Sequence, residues 1–418
     1  MKILMFTNSC MTRIGGVTQS VQSLRTELSA RGHAVLTVAP SDPDAQAHQD
    51  DVVRVPVFAH LKAADLPVPI MSRAARRRIA AFRPDLVHSH HPFLLGRTAL
   101  HTAARLGVPL VYTFHTRYDL YAGSAGHGSP LFAALLRRMM LGYCRVADAV
   151  IAPSNSVRDM LLSSNLTTPI FTIPTGVDTR RVVGGDGLRL RAQLGIAQDA
   201  FVAGHIGRLQ PEKNLGYLAS AIGAFLRLTP DAAFLLGGDG SQRPAMLEIL
   251  RACGVEDRVF CLGPLQGRAI ADAYAAMDVF TFSSFSETQG LAVAEAQAAG
   301  IPVVALDSPG IREMMRFGGG VVMGIDASPL AFAKAIRDIS QQTVTARDLL
   351  RQKALEAAAG FTTARMAEAA EALYESLIAR TASQPRKSSF FASLAAERRL
   401  LDGLLDRVPT ADVWGNDA

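Results

Sequence analysis

Cysteine is scarce in this sequence. The four cysteines, Cys10, Cys144, Cys253 and Cys261, are scattered along 418 residues without a CxxC pair or a regular spacing. Disulfide frameworks and structural zinc sites both need regularly spaced cysteines, so the sequence indicates neither. We expect a chain that folds in a reducing compartment such as the cytoplasm.

Long hydrophobic runs are also missing. No stretch approaches the roughly 18 uninterrupted apolar residues that a membrane-spanning helix needs. The first residues, MKILMFTNSC, lack the apolar core of a signal peptide. We therefore expect a protein that is soluble or peripheral to a membrane.

The absence of two motifs disfavours two classes of function. No GxGxxG fingerprint follows a strand, which disfavours a nicotinamide-dependent oxidoreductase. The clustered arginines are not interleaved with aromatic residues, and no recognisable nucleic-acid-binding module accompanies them. Nucleic acid is therefore not an expected partner.

The chain is rich in apolar residues, and its charged residues are unevenly distributed along it. Hydrophobic residues make up 49% of the chain and charged residues 19%, a globular composition long enough for two domains. Residues 1–200 contain 22 basic and 13 acidic residues, although the whole chain has a net charge of only +6. An arginine cluster, Arg73, Arg76, Arg77, Arg78 and Arg83, indicates either a solvated helix face or a surface for an anionic membrane.

Short β-rich runs alternate with helical stretches, which predicts an α/β fold with two Rossmann-like, doubly wound parallel sheets. The predicted strands are KILMFTN, HAVLTVAP, DLVHSHH, PLVYTFHT and AVIAPS, then FVAGHIGRL, AAFLLGGDG, RVFCLG, VFTFSS and PVVALD. The pattern lapses at residues 174–190, where glycine and proline cluster. We predict one domain over residues 1–178, a second over 190–362, and a shared site in the cleft between them.

Two amphipathic segments close the chain. Residues 363–382 are expected to pack back on the first domain, and residues 384–418 form an extension with a second helical segment, FFASLAAERRLLDGLLDRV. The extension could be a surface anchor, a dimer contact or a helix packed on the core. Its balanced charges favour packing or an oligomer contact.

Glycines and cations follow several predicted strands. Gly15 and Gly16 open a helix, where small residues let the backbone approach a phosphate, although the pair also suits a tight turn. In GRLQPEKN, Arg208 and Lys213 either converge on one anion, such as a diphosphate, or are ordinary loop charges. The histidines of HSHH, residues 88, 90 and 91, suggest acceptor contact or loop polarity rather than zinc.

The stretch SETQGLAVAEAQAAG places two acids around a helix start. Glu287 lies in the loop after VFTFSS, and Glu295 lies in the second turn of the helix that begins near Gly290. The first amides of a helix favour a phosphate. The acids bracket those amides, so they can bind hydroxyl groups at the two ends of a sugar nucleotide.

These motifs together resemble the retaining glycosyltransferases of family 4, over about residues 1–380. The acid-x7-acid motif runs from Glu287 to Glu295, Arg208 and Lys213 form the basic pair, and TFHT contains His115. HSHHPFLLGRTAL, TFHTRYDLY, IPTGVD and ETQGL are most similar to bacterial enzymes that glucosylate diacylglycerol. The resemblance implies the GT-B fold, with an acceptor-binding first domain and a nucleotide-sugar-binding second domain that face a central cleft.

The resemblance also implies roles for the matched residues. Glu287 would bind the donor sugar's hydroxyls, Glu295 the ribose, and the basic pair the leaving diphosphate. The implied catalytic residues are His115, Arg208, Lys213 and Glu287. The implied donor-binding residues are Gly15, Gly16, Thr288, Gln289, Gly290, Leu291 and Glu295. The implied acceptor-binding residues are Arg13, Gln19, His90 and Arg117.

The implied reaction moves a hexose, expected to be glucose from UDP-glucose, to a membrane lipid such as diacylglycerol. The resemblance implies neither a metal nor another cofactor, and a peripheral location on the cytoplasmic face of the cell membrane. Gln289 replaces the phenylalanine of many family members, a feature shared with the lipid-directed group. The alternatives are a family 4 enzyme with a soluble or polysaccharide-precursor acceptor, and a non-catalytic sugar-nucleotide-binding protein.

Overall fold

The computed structural model describes residues 1–11, 15–41, 50–61, 66–118, 130–285, 287–383 and 390–405. The chain divides into two compact units, with unit 1 formed by Met1–Gly176 and Thr363–Ala418 and unit 2 by Val177–Thr362. Each unit contains one parallel sheet covered by helices, so the predicted α/β architecture is confirmed. The division falls within the linker region predicted at residues 174–190.

The sheet of unit 1 has the order β3-β2-β1-β6-β7-β8-β9, with every pair parallel. Strands β4 and β5 form a separate antiparallel pair, which follows β3 in the chain. The strands are β1 (Lys2–Phe6), β2 (Ala34–Pro40), β3 (Val52–Val55), β4 (Val57–Leu61), β5 (Leu66–Pro69), β6 (Leu86–Ser89), β7 (Leu110–Thr113), β8 (Ala149–Ala152) and β9 (Ile170–Thr172).

The sheet of unit 2 has the order β12-β11-β10-β13-β14-β15 and is also parallel throughout. Its strands are β10 (Val202–Ile206), β11 (Ala233–Gly237), β12 (Val259–Gly263), β13 (Val279–Phe282), β14 (Val303–Leu306) and β15 (Gly320–Met323). The strand order reverses between β10 and β13, as it does between β1 and β6 in unit 1. Ligands of doubly wound sheets bind at such a reversal, beyond the carboxyl ends of the strands.

Helices connect the strands of both units. Unit 1 begins with α1 (Gly16–Ala30), α2 (Arg73–Phe82), α3 (Leu95–Leu106), α4 (Pro130–Val146) and α5 (Asn155–Leu162). Unit 2 contains α6 (Gly187–Leu194), α7 (Leu215–Leu228), α8 (Arg243–Ala252), α9 (Arg268–Ala275), α10 (Leu291–Ala298), α11 (Pro309–Met314), α12 (Pro329–Ser340) and α13 (Val344–Ala358). The chain then returns to unit 1 as α14 (Thr363–Ser383) and α15 (Phe390–Leu405). None of the described helices is both long enough and apolar enough to cross a membrane.

Alternating strand residues build two cores in each unit. In β1, Leu4 and Phe6 pack with α2 to α5, whereas Ile3 and Met5 pack with α1 and α14. All four side chains are fully buried. A strand that is buried on both faces needs apolar side chains on both, which explains the continuous apolar sequence of residues 3–6 in β1.

Both C-terminal helices pack on unit 1. In α14, Thr363 donates a hydrogen bond to Glu27 of α1 at 2.8 Å, and Tyr374 is fully buried. In α15, Ala396 is fully buried in the core formed with α3 and α4. Glu397 lies 2.8 Å from His101 of α3. Of the alternatives left open for the extension, residues 390–405 pack on the core, and the remainder of the extension lies outside the described residues.

The packing of α15 can be tested with two adjacent leucines. Leu400 is 8% exposed and packs in the core, whereas Leu401 is 53% exposed. We expect Leu400→Ala to destabilise unit 1 by about 2–4 kcal/mol, because it removes buried methyl groups and leaves a cavity. Leu401→Ala should change stability by less than about 0.5 kcal/mol. Urea unfolding measures both, and equal effects would show that α15 does not dock on α3 and α4.

Candidate active site

Two exit loops meet at the carboxyl edge of the unit 2 sheet. Strands β10 and β13 are parallel neighbours, with Gly204 opposite Phe280, so the segments that follow them leave at the same edge. Hydroxyl groups join the two segments: Ser283 donates to the carbonyl of Lys213 at 2.8 Å, and Ser284 donates to the carbonyl of Glu212 at 3.1 Å. The loop after β13 is therefore held against the loop after β10.

A buried ion pair lies where these loops meet. Lys213 Nζ lies 2.5 Å from Glu287 Oε1, and both side chains are only 16% exposed. Burial acts to raise the pKa of Glu287, but the Lys213 ammonium, the Ser284 hydroxyl and Arg208 together hold that pKa below its usual value. Glu287 is therefore ionised at neutral pH. Two residues predicted to share a site, 74 positions apart, are in direct contact.

Arg208 is held by an acid that the sequence analysis missed. Its Nη2 donates to Glu212 Oε1 at 2.9 Å, and Glu212 is 4% exposed whereas the Arg208 side chain is 49% exposed. The predicted basic pair thus lies on one loop, and the half-exposed Arg208 guanidinium is held by Glu212. The i,i+4 spacing within RLQPE was the available sign of this contact.

The GGDG loop after β11 supports the Arg208 loop. Gly238 has a φ of +117°, and a Cβ there would lie 1.9 Å from the Gly207 carbonyl oxygen. Leu209 donates its amide to the Asp239 carbonyl at 2.9 Å. The Asp239 carboxylate accepts from the Gly240 amide at 2.9 Å. Close backbone contact therefore requires glycine here, and Asp239 stabilises the loop.

Helix α10 begins where the sequence predicted, immediately after Gly290. Gly290 has a φ of +90°, and a Cβ on it would lie 2.5 Å from the Ile311 side chain. A Cβ on Gly310 would lie 2.8 Å from the Gln289 amide nitrogen. Helix α11 thus fixes the Gln289 and Gly290 backbone, and Gln289 itself is only 3% exposed. The amides of Thr288 to Leu291 are consequently presented on a rigid turn, a suitable surface for an anion.

Glu295 lies in the second turn of α10, as expected, but its hydrogen bond with a tyrosine was not predicted. The hydroxyl of Tyr274, in the last turn of α9, donates to Glu295 Oε2 at 3.2 Å. Tyr274 is fully buried. The two acids of the motif therefore have different partners, a cation for Glu287 and a neutral phenol for Glu295.

In unit 1, the glycine pair opens α1 as predicted. Gly16 is the first helical residue and is exposed, and within the part of the chain that the structure describes a Cβ on Gly15 would meet no atom within 4 Å. Gln19 lies half-buried in the first turn, whereas Arg13 lies outside the described residues.

The unit 1 histidines form a buried cluster behind His115. His90 Nδ1 lies 3.0 Å from His115 Nε2, and the two rings stack with centroids 5.3 Å apart. His88 is held between Thr113 and the hydroxyl of Tyr374, at 2.7 and 2.8 Å. His90 is 2% exposed and contacts His115. Its contact with an acceptor stays a prediction.

Burial keeps these imidazoles uncharged. It lowers the pKa of His115 to about 3 and, together with the neighbouring His115, the pKa values of His88 and His91 to about 3. Within the part of the chain that the structure describes, no three His, Cys, Asp or Glu side chains are grouped as a metal site. Arg117 follows His115 and is half-buried, with its Nη1 3.3 Å from Met160 Sδ. The cluster supplies neutral hydrogen-bonding groups at neutral pH.

Two family models match the chain, one for each unit. The model of Glycosyltransferase Family 4 matches residues 14–181, and the model of Glycosyl transferases group 1 matches residues 200–342. The fold and these matches define a glycosyltransferase.

Relatives with named activities cover most of the chain. The alpha-monoglucosyldiacylglycerol synthase of Streptococcus pneumoniae is 28% identical over 75% of this chain and 73% of that protein. A GDP-mannose-dependent alpha-mannosyltransferase of Mycolicibacterium smegmatis is 32% identical, covering 80% and 88%. A D-inositol 3-phosphate glycosyltransferase of Stackebrandtia nassauensis is 31% identical, covering 90% and 89%. The chain therefore belongs to glycosyltransferase family 4.

A solved structure supports the same fold. The Anabaena protein HepE, determined in complex with UDP-glucose, is similar with a TM-score of 0.68 and 22% identity, covering 90% of this chain and 99% of that one. The GT-B class of architecture expected from the sequence is confirmed.

The Lys213–Glu287 pair leads us to predict how the stability of the fold depends on pH. The lowered pKa of Glu287 stabilises the fold above its unfolded value of about 4.5, and this contribution is lost as pH falls through the folded pKa. In Lys213→Met, the main group that lowers this pKa is removed, and burial, the largest single effect, should outweigh Ser284 and Arg208 and raise the pKa, so stability is lost as pH rises instead. We expect the variant to lose about 2–4 kcal/mol at neutral pH and much less near pH 4.

Urea unfolding across this pH range measures the difference. Lys213→Met combined with Glu287→Gln is the control, because it removes the unpaired charge and should abolish the added pH dependence. If the free energy of unfolding depended on pH in the same way in the wild type and in Lys213→Met, the ion pair would not contribute to stability as predicted.

Proposed function

We propose that the chain is a retaining glucosyltransferase that uses UDP-glucose and glucosylates a membrane lipid such as diacylglycerol. One observation carries the donor part: a buried carboxylate, two cations and a helix start lie together at the carboxyl edge of the unit 2 sheet. Glu287 is paired with Lys213, the Arg208 side chain is 49% exposed, and Gly290 immediately precedes α10. This set matches the hydroxyls and the two phosphates of a sugar nucleotide.

Each group has a distinct task in this reaction. Glu287 binds hydroxyl groups of the glucose, and the backbone from Thr288 to Leu291 faces the donor. Arg208 and Lys213 stabilise the diphosphate as it leaves, when its negative charge increases, because they are fixed before the reaction. Glu295 binds the ribose. Charge stabilisation is thus assigned to protein groups, and the proposed mechanism calls for no metal or other cofactor.

Unit 1 has the complementary tasks. The start of α1 at Gly15 and Gly16 admits a phosphate. His115, uncharged and backed by His90, contributes its ring or its backbone carbonyl near the sugar and the acceptor. We assign acceptor contacts to Arg13, Gln19, His90 and Arg117. Retention follows from departure and attack on the same face, with the leaving phosphate helping to accept the acceptor's proton.

The lipid acceptor is supported by the surface of unit 1. At the start of α4, Leu131 is 80% exposed, Phe132 50% and Leu135 46%. Exposed arginines lie on the same helix at Arg138 and along α2. Exposed apolar side chains beside cations suit an anionic bilayer, where the apolar groups enter the interface and the cations meet lipid headgroups. We therefore propose a peripheral location on the cytoplasmic face of the membrane.

A soluble acceptor is the second candidate. One relative is named for D-inositol 3-phosphate and covers more of the chain than the lipid-glucosylating relative does. Such an enzyme would use the same donor residues and would not need the exposed apolar side chains of α4.

An activity panel tests the donor and the acceptor together. Purified protein is incubated with UDP-, GDP- and ADP-sugars against diacylglycerol and soluble acceptors, and products are read by mass spectrometry. We expect glucosylated lipid from UDP-glucose, and a loss of at least about 100-fold in Glu287→Gln and in Lys213→Met, since each removes a charge beside the reacting groups. Glu248→Gln, on the exposed face of α8, should retain activity. Full activity in Glu287→Gln would refute the assignment of the site.

Membrane binding is tested by sedimentation with phosphatidylglycerol vesicles. We expect the wild type to sediment and the combined Leu131→Ser, Phe132→Ser and Leu135→Ser variant to stay in solution, because apolar burial at the interface is lost. Leu349→Ser with Leu355→Ser is the control, since these leucines are 52% and 49% exposed in unit 2. A wild type that stays in solution at physiological salt would favour the soluble-acceptor enzyme.

A further inference from the structure

Tyr274 places a polar group deep inside unit 2. Its side chain is fully buried, and its ring lies 6.0 Å from the ring of Phe280 on β13, at a tilt of 49°. The ring packs in the core together with Val293 and Ala294 of α10. Phenylalanine would satisfy this packing equally well, so the hydroxyl needs a separate explanation.

The hydroxyl points to Glu295. It lies 3.2 Å from Glu295 Oε2, and a carboxylate only accepts hydrogen bonds, so the phenol is the donor. Burial, with a further contribution from the Glu295 charge, raises the pKa of Tyr274 well above its usual value. The phenol therefore keeps its proton at every pH at which the protein would be assayed.

The contact is held by rigid elements on both sides. Tyr274 lies in the last turn of α9 and Glu295 in the second turn of α10, and β13 connects the two helices. Glu295 is half-buried, so the residue is not fully enclosed in the core. A fully buried donor behind a half-buried acid is the arrangement of a ligand-binding group supported from behind.

We propose that Tyr274 is a positioning residue for ribose recognition: its hydroxyl holds Glu295 Oε2, so that the carboxylate is oriented to accept hydrogen bonds from the ribose hydroxyls of the donor. This inference rests on the proposed binding of the ribose by Glu295. It adds that selection of a ribonucleotide over a deoxyribonucleotide depends on a residue that does not touch the nucleotide. Without the phenol, Glu295 loses one hydrogen bond that orients its carboxylate, and a ribose must supply that orientation on binding.

The test compares nucleotides that differ only at the ribose. Isothermal titration calorimetry measures the dissociation constants of UDP and 2′,3′-dideoxy-UDP, with GDP and 2′,3′-dideoxy-GDP in parallel, for the wild type, Tyr274→Phe and Glu295→Gln. We expect Tyr274→Phe to weaken ribonucleotide binding about threefold to tenfold, the net effect typical of one hydrogen bond. The dideoxy nucleotide should bind all three proteins alike.

A matched control removes a different phenol. Tyr217 donates to the Ala327 carbonyl at 2.8 Å in the same unit, and Tyr217→Phe should leave both dissociation constants unchanged. The readout is a ratio of two affinities from one preparation. Partial unfolding would therefore change the binding stoichiometry and leave the ratio unchanged.

The outcomes separate this inference from the proposed function. Equal weakening of both nucleotides in Tyr274→Phe, or no weakening, would show a purely structural tyrosine and overturn the inference. A wild type that prefers the ribonucleotide while Glu295→Gln keeps that preference would move ribose recognition away from Glu295, overturning the inference and that one assignment but leaving the proposed sugar-nucleotide donor intact. Failure of the wild type to bind either ribonucleotide would overturn both.

Discussion

Adjacent parallel strands deliver their exit loops to one edge of a sheet, and the site in unit 2 depends on this constraint at β10 and β13. One loop carries Arg208 and Lys213, and the other carries Glu287. Only their meeting allows a lysine and a glutamate far apart in sequence to form a partly buried pair. Backbone contacts then fix each loop separately: the GGDG loop supports the first, and α11 supports the second.

The two acids of the motif differ in electrostatics although they share one segment. Glu287 is paired with a cation, so the pair is neutral and its disruption leaves a buried charge. Glu295 accepts a hydrogen bond from the neutral phenol of Tyr274. A ligand that competes for Lys213 must therefore compensate Glu287 with hydroxyl groups. This property suits a polyhydroxylated anion.

Sequence patterns predicted the central strands, the start of α10 and the acid and basic residues of the site. Strands β3, β4, β5, β9 and β15 were not predicted, and three of them, β3, β9 and β15, lie at the edges of the two large sheets. An edge strand is paired on one side only, so it can be short and lie beside proline or glycine, as Ile170–Thr172 does after Pro169. Tyr274 was missed for another reason: an apolar helical pattern does not reveal whether a buried tyrosine's hydroxyl has a functional partner.

The return of the chain to unit 1 determines the order in which the molecule can be completed during synthesis. Unit 2 has all of its residues once Thr362 has been added. One face of the unit 1 sheet, however, still lacks α14, which supplies Leu373 and Leu377 to its core. The hydroxyl that holds His88 also arrives with that helix, on Tyr374, 286 residues later. The unit that begins the chain is thus the last to receive all of its residues, and its histidine cluster is completed only after unit 2 has been made.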